Sequence, residues 1–223
     1  MKRARGDEDD LTALMAAAKD GARVDTTNEY GYTALMLAAA GGHVAAIETL
    51  VKHGARVETA NELYGGVTAL MLASLHTAAI EALVKHGANI EAVSKSGMTA
   101  LMYAACGGSA EVVESLVMKH GARAQAVAED GSTALMGAAC GGHVAIIETL
   151  LEHGACVEAT DEHGWTALMA AAEFGHPAAI EALVKHGANI EATDDFSSTA
   201  LSCAEIRGDT VVVEALKALG ATK

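Results

Sequence analysis

Ring-bearing side chains are almost missing from this chain, which holds one Trp, four Tyr and two Phe in 223 residues. A core built on rings is therefore excluded. Disorder is excluded too, because apolar types still make up 51% of the sequence and a disordered chain carries few of them. The core must be made of Ala, Leu, Ile, Val and Met. Proline occurs once against 23 glycines, so glycine has to end the secondary-structure elements. A run of 18 apolar residues is lacking as well: the candidate at 35–51 is cut by His43 and Glu48, which argues against a membrane-spanning helix. The start, Met1 to Asp10, is charged and is followed by no apolar region of a secretory leader.

Basic residues are also scarce. Lys and Arg number 15 against 29 Asp and Glu, a net charge of −14 with His neutral. Such a surface repels phosphate backbones, so nucleic acid is not an expected partner. Cys106, Cys140, Cys156 and Cys203 form neither a CxxC pair nor a disulfide-like framework. These features together suit a cytoplasmic protein; Lys2-Arg3-Ala4-Arg5 as a nuclear address is the alternative.

What is present is a repeat. Thr-Ala-Leu-Met begins at Thr12, Thr33, Thr68, Thr99, Thr133 and Thr166, and Thr199-Ala-Leu-Ser is a seventh copy. Successive spacings are 21, 35, 31, 34, 33 and 33, so the period is 33. Two extra residues within Asn61–Val67 account for 35. A missing glycine turn at Ser74-Leu75-His76 accounts for 31, and one added residue within Val117–His120 accounts for 34.

The unit 164–198 shows how one copy folds. Thr166 is suited to cap a helix N-terminus, and Ala167 to Ala172 form helix readily. Gly175 suits the left-handed position after that helix, and Pro177 the first turn of the next. Ile180, Leu183 and Val184 recur at i, i+3 and i+4, which predicts an amphipathic second helix. His186-Gly187 ends it, and the polar stretch Ala188–Ser198 reads as an extended hairpin or loop.

That order, together with Gly164-Trp165-Thr166-Ala167-Leu168-Met169-Ala170-Ala171-Ala172-Glu173-Phe174-Gly175-His176 and the later Ile180, Leu183, Val184 and Gly187-Ala188, resembles the ankyrin repeat. The resemblance covers about residues 11–220. Ala stands where the family has Pro. Met36, Met71, Met102, Met136 and Met169 stand where it has His, so thioether packing should replace a polar network. The implied fold class is all-α, an ankyrin-type helical solenoid with short hairpin segments. A charged N-terminus at 1–7 would precede one domain at 8–223, with first helices starting near 33, 68, 99, 133, 166 and 199. The first copy is 12 residues short. Residues 8–20 are accordingly expected to form a single capping helix, a damaged reading frame being the competing account.

The repeat absorbs most residues that would otherwise suggest chemistry. His53, His86, His120, His153 and His186 share one position before a glycine, and His43, His76, His143 and His176 another at the start of a second helix. Both columns read as helix caps. No converging metal set, phosphate loop or nucleophile–base pair is present, so no cofactor, metal or catalytic residue is predicted and the chain is not expected to be an enzyme. Glu48, Glu81 and Glu181 stand four residues before Lys52, Lys85 and Lys185, the spacing of helix-surface ion pairs. Free thiols are expected.

The rings avoid the second helices and gather in the hairpin segments or first helices. In ankyrin-like proteins those elements line a concave surface that grips partners. The resemblance therefore implies contacts from Glu29, Tyr30, Tyr32, Tyr64, Val67, Lys95, Ser96, Met98, Glu129, Asp130, Ser132, Glu162, His163, Trp165, Glu173, Phe174, Asp195, Phe196 and Ser198. Acids of the same segments, including Glu58, Glu91, Glu158, Asp161, Glu191 and Asp194, would give an acidic rim favouring a basic protein surface. A protein-interaction scaffold or adaptor, monomeric and away from the membrane, is the function so implied. A structural spacer or steric inhibitor domain is the alternative.

Overall fold

The computed structural model describes Thr12 and residues 24–222. Apart from Thr12, the charged segment 1–7 and the capping helix expected at 8–20 lie outside the described residues. Two compact units divide the chain at Ala100/Leu101. The N-terminal unit holds the helix pair α1 (Ala34–Ala40) and α2 (Val44–Lys52). It then has the two-residue strands β1 (Ala60–Asn61) and β2 (Val67–Thr68) and the pair α3 (Ala69–Leu72) and α4 (Thr77–Lys85). The C-terminal unit opens with α5 (Ala100–Gly107) and α6 (Ala110–Glu114), which runs into a π-helical turn, Ser115–Lys119. Three further pairs follow: α7 (Ala134–Cys140) with α8 (Val144–Glu152), α9 (Ala167–Glu173) with α10 (Pro177–Lys185), and α11 (Ala200–Arg207) with α12 (Thr210–Ala218). The fold class is all-α, and each unit is a short stack of helix pairs.

The Thr-Ala-Leu motif caps its helix as its chemistry predicts at Thr33, Thr133, Thr166 and Thr199, whereas the buried Thr68 hydroxyl is left without a partner among the described residues. The hydroxyls of Thr33, Thr133 and Thr166 accept the backbone N–H of Met36, Met136 and Met169 at 3.2–3.3 Å, satisfying a donor that the first helical turn leaves orphaned. First helices are buried almost all round. The methionines at 36, 71, 102, 136 and 169 all lie in the core, where their flexible thioethers fill gaps between alanine-lined helices. Second helices bury one stripe, such as Ile47 and Leu50 in α2 or Ala179, Ile180, Ala182 and Leu183 in α10, and leave the opposite face polar.

Among the described residues, the spacings of 35, 31 and 34 each have a structural counterpart. The two inserted residues lie in the loop between β1 and β2, which pair antiparallel with Asn61 opposite Val67. The missing glycine turn shortens α3 to four residues. The added residue is taken up by the π turn, where the N–H of His120 reaches Ser115 O, a bond one residue longer than in an α-helix.

Consecutive repeats are keyed together by glycine and histidine. Gly42, Gly108 and Gly142 have φ of +69, +78 and +68°, a region costly for residues with a Cβ. A Cβ on them would also lie 2.7, 2.6 and 2.6 Å from the rings of His76, His143 and His176 of the following repeat. Sequence places this histidine column as caps, and the residues do occupy N-cap positions. Their side chains make no cap bond, however. Instead His76 Nε2 donates back to Ala40 O at 3.1 Å and His176 Nε2 to Cys140 O at 2.9 Å. The other column contains true C-caps: His53 Nδ1 donates to Thr49 O and His153 Nδ1 to Thr149 O. Glu48 also departs from expectation, since its two oxygens meet Lys85 (3.0 Å) and His86 (2.7 Å) of the next repeat rather than Lys52. The hydrogen bonds from His86 and Lys85 hold its carboxyl below the ordinary range.

The repeat that begins at Thr199 differs at one position of its first helix. Where α9 buries Ala172, α11 carries Glu205, paired with Lys217 of α12 at 3.1 Å.

Two outcomes follow from these contacts. Gly187→Ala, with open space around it, should cost about 1–2 kcal/mol in denaturant unfolding through backbone strain alone. Gly142→Ala should cost about 3 kcal/mol, since steric crowding adds to the strain, and adding His176→Ala should recover part of the excess. Second, a depressed folded pKa at Glu48 means that its contribution is present above pH 4.5 and is lost as pH falls through the lower folded value. Glu48→Gln should therefore flatten the acid limb of the stability–pH profile.

Candidate partner-binding surface

The surface begins with how the segment before each first helix is held. Five residues ahead of the capping threonine, one short polar side chain gathers the backbone of the loop. Asn28 Oδ1 accepts from Tyr30 N (3.1 Å) and Tyr32 N (2.9 Å). Asp161 Oδ1 accepts from His163 N and Trp165 N, both at 2.9 Å, and Asp194 Oδ1 from Phe196 N (2.9 Å) and Ser198 N (2.7 Å). Ser94 Oγ accepts from Met98 N at 3.1 Å. In the repeat with Ala128 at this place, Asp130 accepts from Ser132 N at 2.9 Å, and that bond holds the Asp130 carboxyl below its ordinary pKa. Pairing is sparser than full hairpins would give: beside β1 and β2, isolated bridges join Thr27 to Thr33, Val127 to Thr133 and Thr160 to Thr166.

In the N-terminal unit the structure brings Tyr32 and Tyr64 into a stack, with ring centroids 5.6 Å apart and planes at 28°. Tyr30 and Tyr64 stay about half exposed, Met98 is half-buried, and Asn61 Nδ2 donates to Tyr30 O. Leu63, 69% exposed, joins this group by lying against Gly31. Nothing in the repeat pattern singles out Leu63, although the two-residue insertion that carries it is visible in the sequence. Lys95 is fixed by Glu62, at 2.9 Å, and by its own N–H to Gly65 O.

In the C-terminal unit Glu129, Asp130, Glu162 and His163 are exposed, while Trp165 and Glu173 are half-buried. Phe174 caps α9 at 48% exposure, and Phe196 stands 80% exposed on its loop. Trp165 and Phe174 bracket α9, about 13 Å apart at the helical rise, so any shared ligand must span the helix. Neighbouring loops are joined by Glu162 N to Asp130 O at 2.8 Å and Asp195 N to His163 O at 3.0 Å.

The acidic rim is smaller than the sequence suggested. Asp161 and Asp194 are spent on their own loops. Glu58 accepts from Asn89 N, Glu158 from Asn189 N and Glu191 from Thr222 N, each 31 residues ahead. These carboxylates join repeat to repeat. Outward acidity on the loop tips comes instead from Glu29, Glu129, Glu162 and Asp195, together with Asp130, which stays exposed while accepting from Ser132 N.

Among the described residues no group of three or more His, Cys, Asp or Glu could hold a metal ion, and no helix is long and apolar enough to cross a membrane. All four cysteines are free. Burial pushes the thiols of Cys140 and Cys203 up, which lowers their thiolate fraction and their reactivity.

Comparison with protein families matches residues 59–128 and 121–194 to a model described as ankyrin repeats (3 copies). Residues 2–51 match a second model, ankyrin repeats (many copies). No individual curated protein matches the chain.

One loop residue is strained. Ser197 has φ +64°, alone among the described non-glycine residues, where the other loops place Gly31, Gly66, Gly97, Gly131 and Gly164. Ser197→Gly should relieve the left-handed penalty and raise unfolding stability by about 1 kcal/mol, measured by urea titration.

Proposed function

Since the chain belongs to the ankyrin repeat family, we propose that it is a non-catalytic adaptor that holds a partner protein on its loop and first-helix face. Ankyrin repeats are generally protein–protein interaction modules, and proteins built from them are typically scaffolds without catalysis. The observation that carries the reading is Phe196. A large ring 80% exposed, with its backbone N–H held by Asp194, gains nothing for the fold from its position. It is, however, the kind of rigid aromatic anchor that dominates interfaces. Phe174 and Trp165 supply further apolar area in the same unit, as Tyr30, Leu63 and Tyr64 do in the other.

Charge supports a basic partner. The loop acids Glu129, Glu162 and Asp195 lie in a chain of net charge −14, which attracts cationic surfaces and repels phosphate. Binding of this kind weakens as salt screens it.

Affinity capture with wild type and with Trp165→Ala/Phe174→Ala tests the proposal. The double variant should remain folded by circular dichroism and lose its partner by at least about 10-fold, as for interface anchors. Binding should also fall between low and physiological salt. Undiminished capture by the folded double variant would leave the spacer or steric-inhibitor reading.

A further inference from the structure

The loop face of the C-terminal unit couples exposed apolar surface to acids of one register. Phe196 is 80% exposed and Trp165 half-buried, on adjacent loops joined through Asp195 N and His163 O. Alongside them Glu129, Glu162 and Asp195 recur at intervals of 33 residues, and all three are exposed. The loop stretches 124–132, 157–165 and 190–198 contain no Lys or Arg. Glu162 has a 3.8 Å approach from its neighbour His163. The rings offer an apolar seat and the acids specify the charge of what sits there.

Spacing specifies the conformation. Each loop precedes a first helix, and stacked helices lie about 8–10 Å apart, so the acids should recur at about that distance. A β-strand presents side chains on one face every second residue, at about 7 Å, and falls out of step. A polyproline-II helix has three residues per turn and presents one face every third residue, about 9 Å apart. We infer that this face takes a polyproline-II segment bearing Lys or Arg at every third residue. The cations meet Glu129, Glu162 and Asp195 in turn, while intervening prolines pack on Trp165 and Phe196, as such segments do in aromatic-lined grooves. This rests on the adaptor reading and names the ligand of the same face.

The chain's one tryptophan, Trp165, gives the readout. The full chain is titrated by Trp fluorescence with synthetic peptides of about twelve residues, four turns of the helix. All share one composition of Lys and Pro: the first has Lys at every third position, and the second has its Lys in one block. The every-third peptide should bind about 10-fold more tightly than the block peptide, and Glu162→Gln/Asp195→Asn should remove most of that advantage, as expected for register-fixing charges. Phe196→Ala should weaken the every-third peptide with the charges intact. Equal affinity for the two peptides, or binding of neither, overturns the inference. Partner capture uses no peptide, so the adaptor reading is judged separately by the Trp165/Phe174 variant.

Discussion

A 33-residue repeat cannot bury its own apolar side, and everything else in the structure depends on its leaning on the next repeat. The contact is specified by more than greasiness. Helices lined by alanine approach closely, and a glycine such as Gly142 leaves a space that the ring of His176 enters. The ring's Nε2–H then fixes the depth of entry by donating to Cys140 O. Carboxylates extend the same keying along the chain: Asp25 takes the N–H and Nε of Arg56, and Glu58, Glu158 and Glu191 each take a backbone N–H of the following repeat. Apolar burial supplies the driving force, and these polar contacts set the register.

Much of this was legible in the sequence, for a physical reason. Helix caps, glycine stops and apolar stripes act within a few residues, so a single copy of Thr-Ala-Leu-Met with its glycine already encodes one helix and its end. The π turn at Ser115–Lys119 was readable as one residue too many. Contacts reaching into the next repeat were harder. His76 looked like a cap and Glu48 like half of an ion pair within its own helix, because local spacing offers those partners first. Their real partners stand 36 to 38 residues away, where only the period could have pointed. The acids followed the same course: Glu58, Glu158 and Glu191 looked like surface charge, and become bonds between repeats once the 31-residue offset is known.

For the candidate surface the sequence located the rings but not their roles. It singled out Tyr30, Tyr32 and Tyr64 without showing that two of them stack, and it overlooked Leu63 beside them. In the other unit it took Asp194 for a rim acid. The structure makes that residue a post that holds Phe196 by the backbone, with the charge facing outward coming from Asp195. Local propensity cannot divide neighbouring aspartates in this way, since either could accept the same N–H groups until the loop closes.

The Glu205–Lys217 pair has a consequence for how copies of the chain meet. A helical-repeat protein runs the risk that the flank of one molecule serves as the missing neighbour for another, a head-to-tail contact that propagates into fibres. At the position where α9 offers buried Ala172, α11 offers a carboxylate already held by an ammonium. A second molecule stacking there would have to strip water from both charges without supplying replacement bonds. The ion pair adds little to stability at an exposed site, but an apolar surface laid over it would leave two charges buried where α9 offers an alanine.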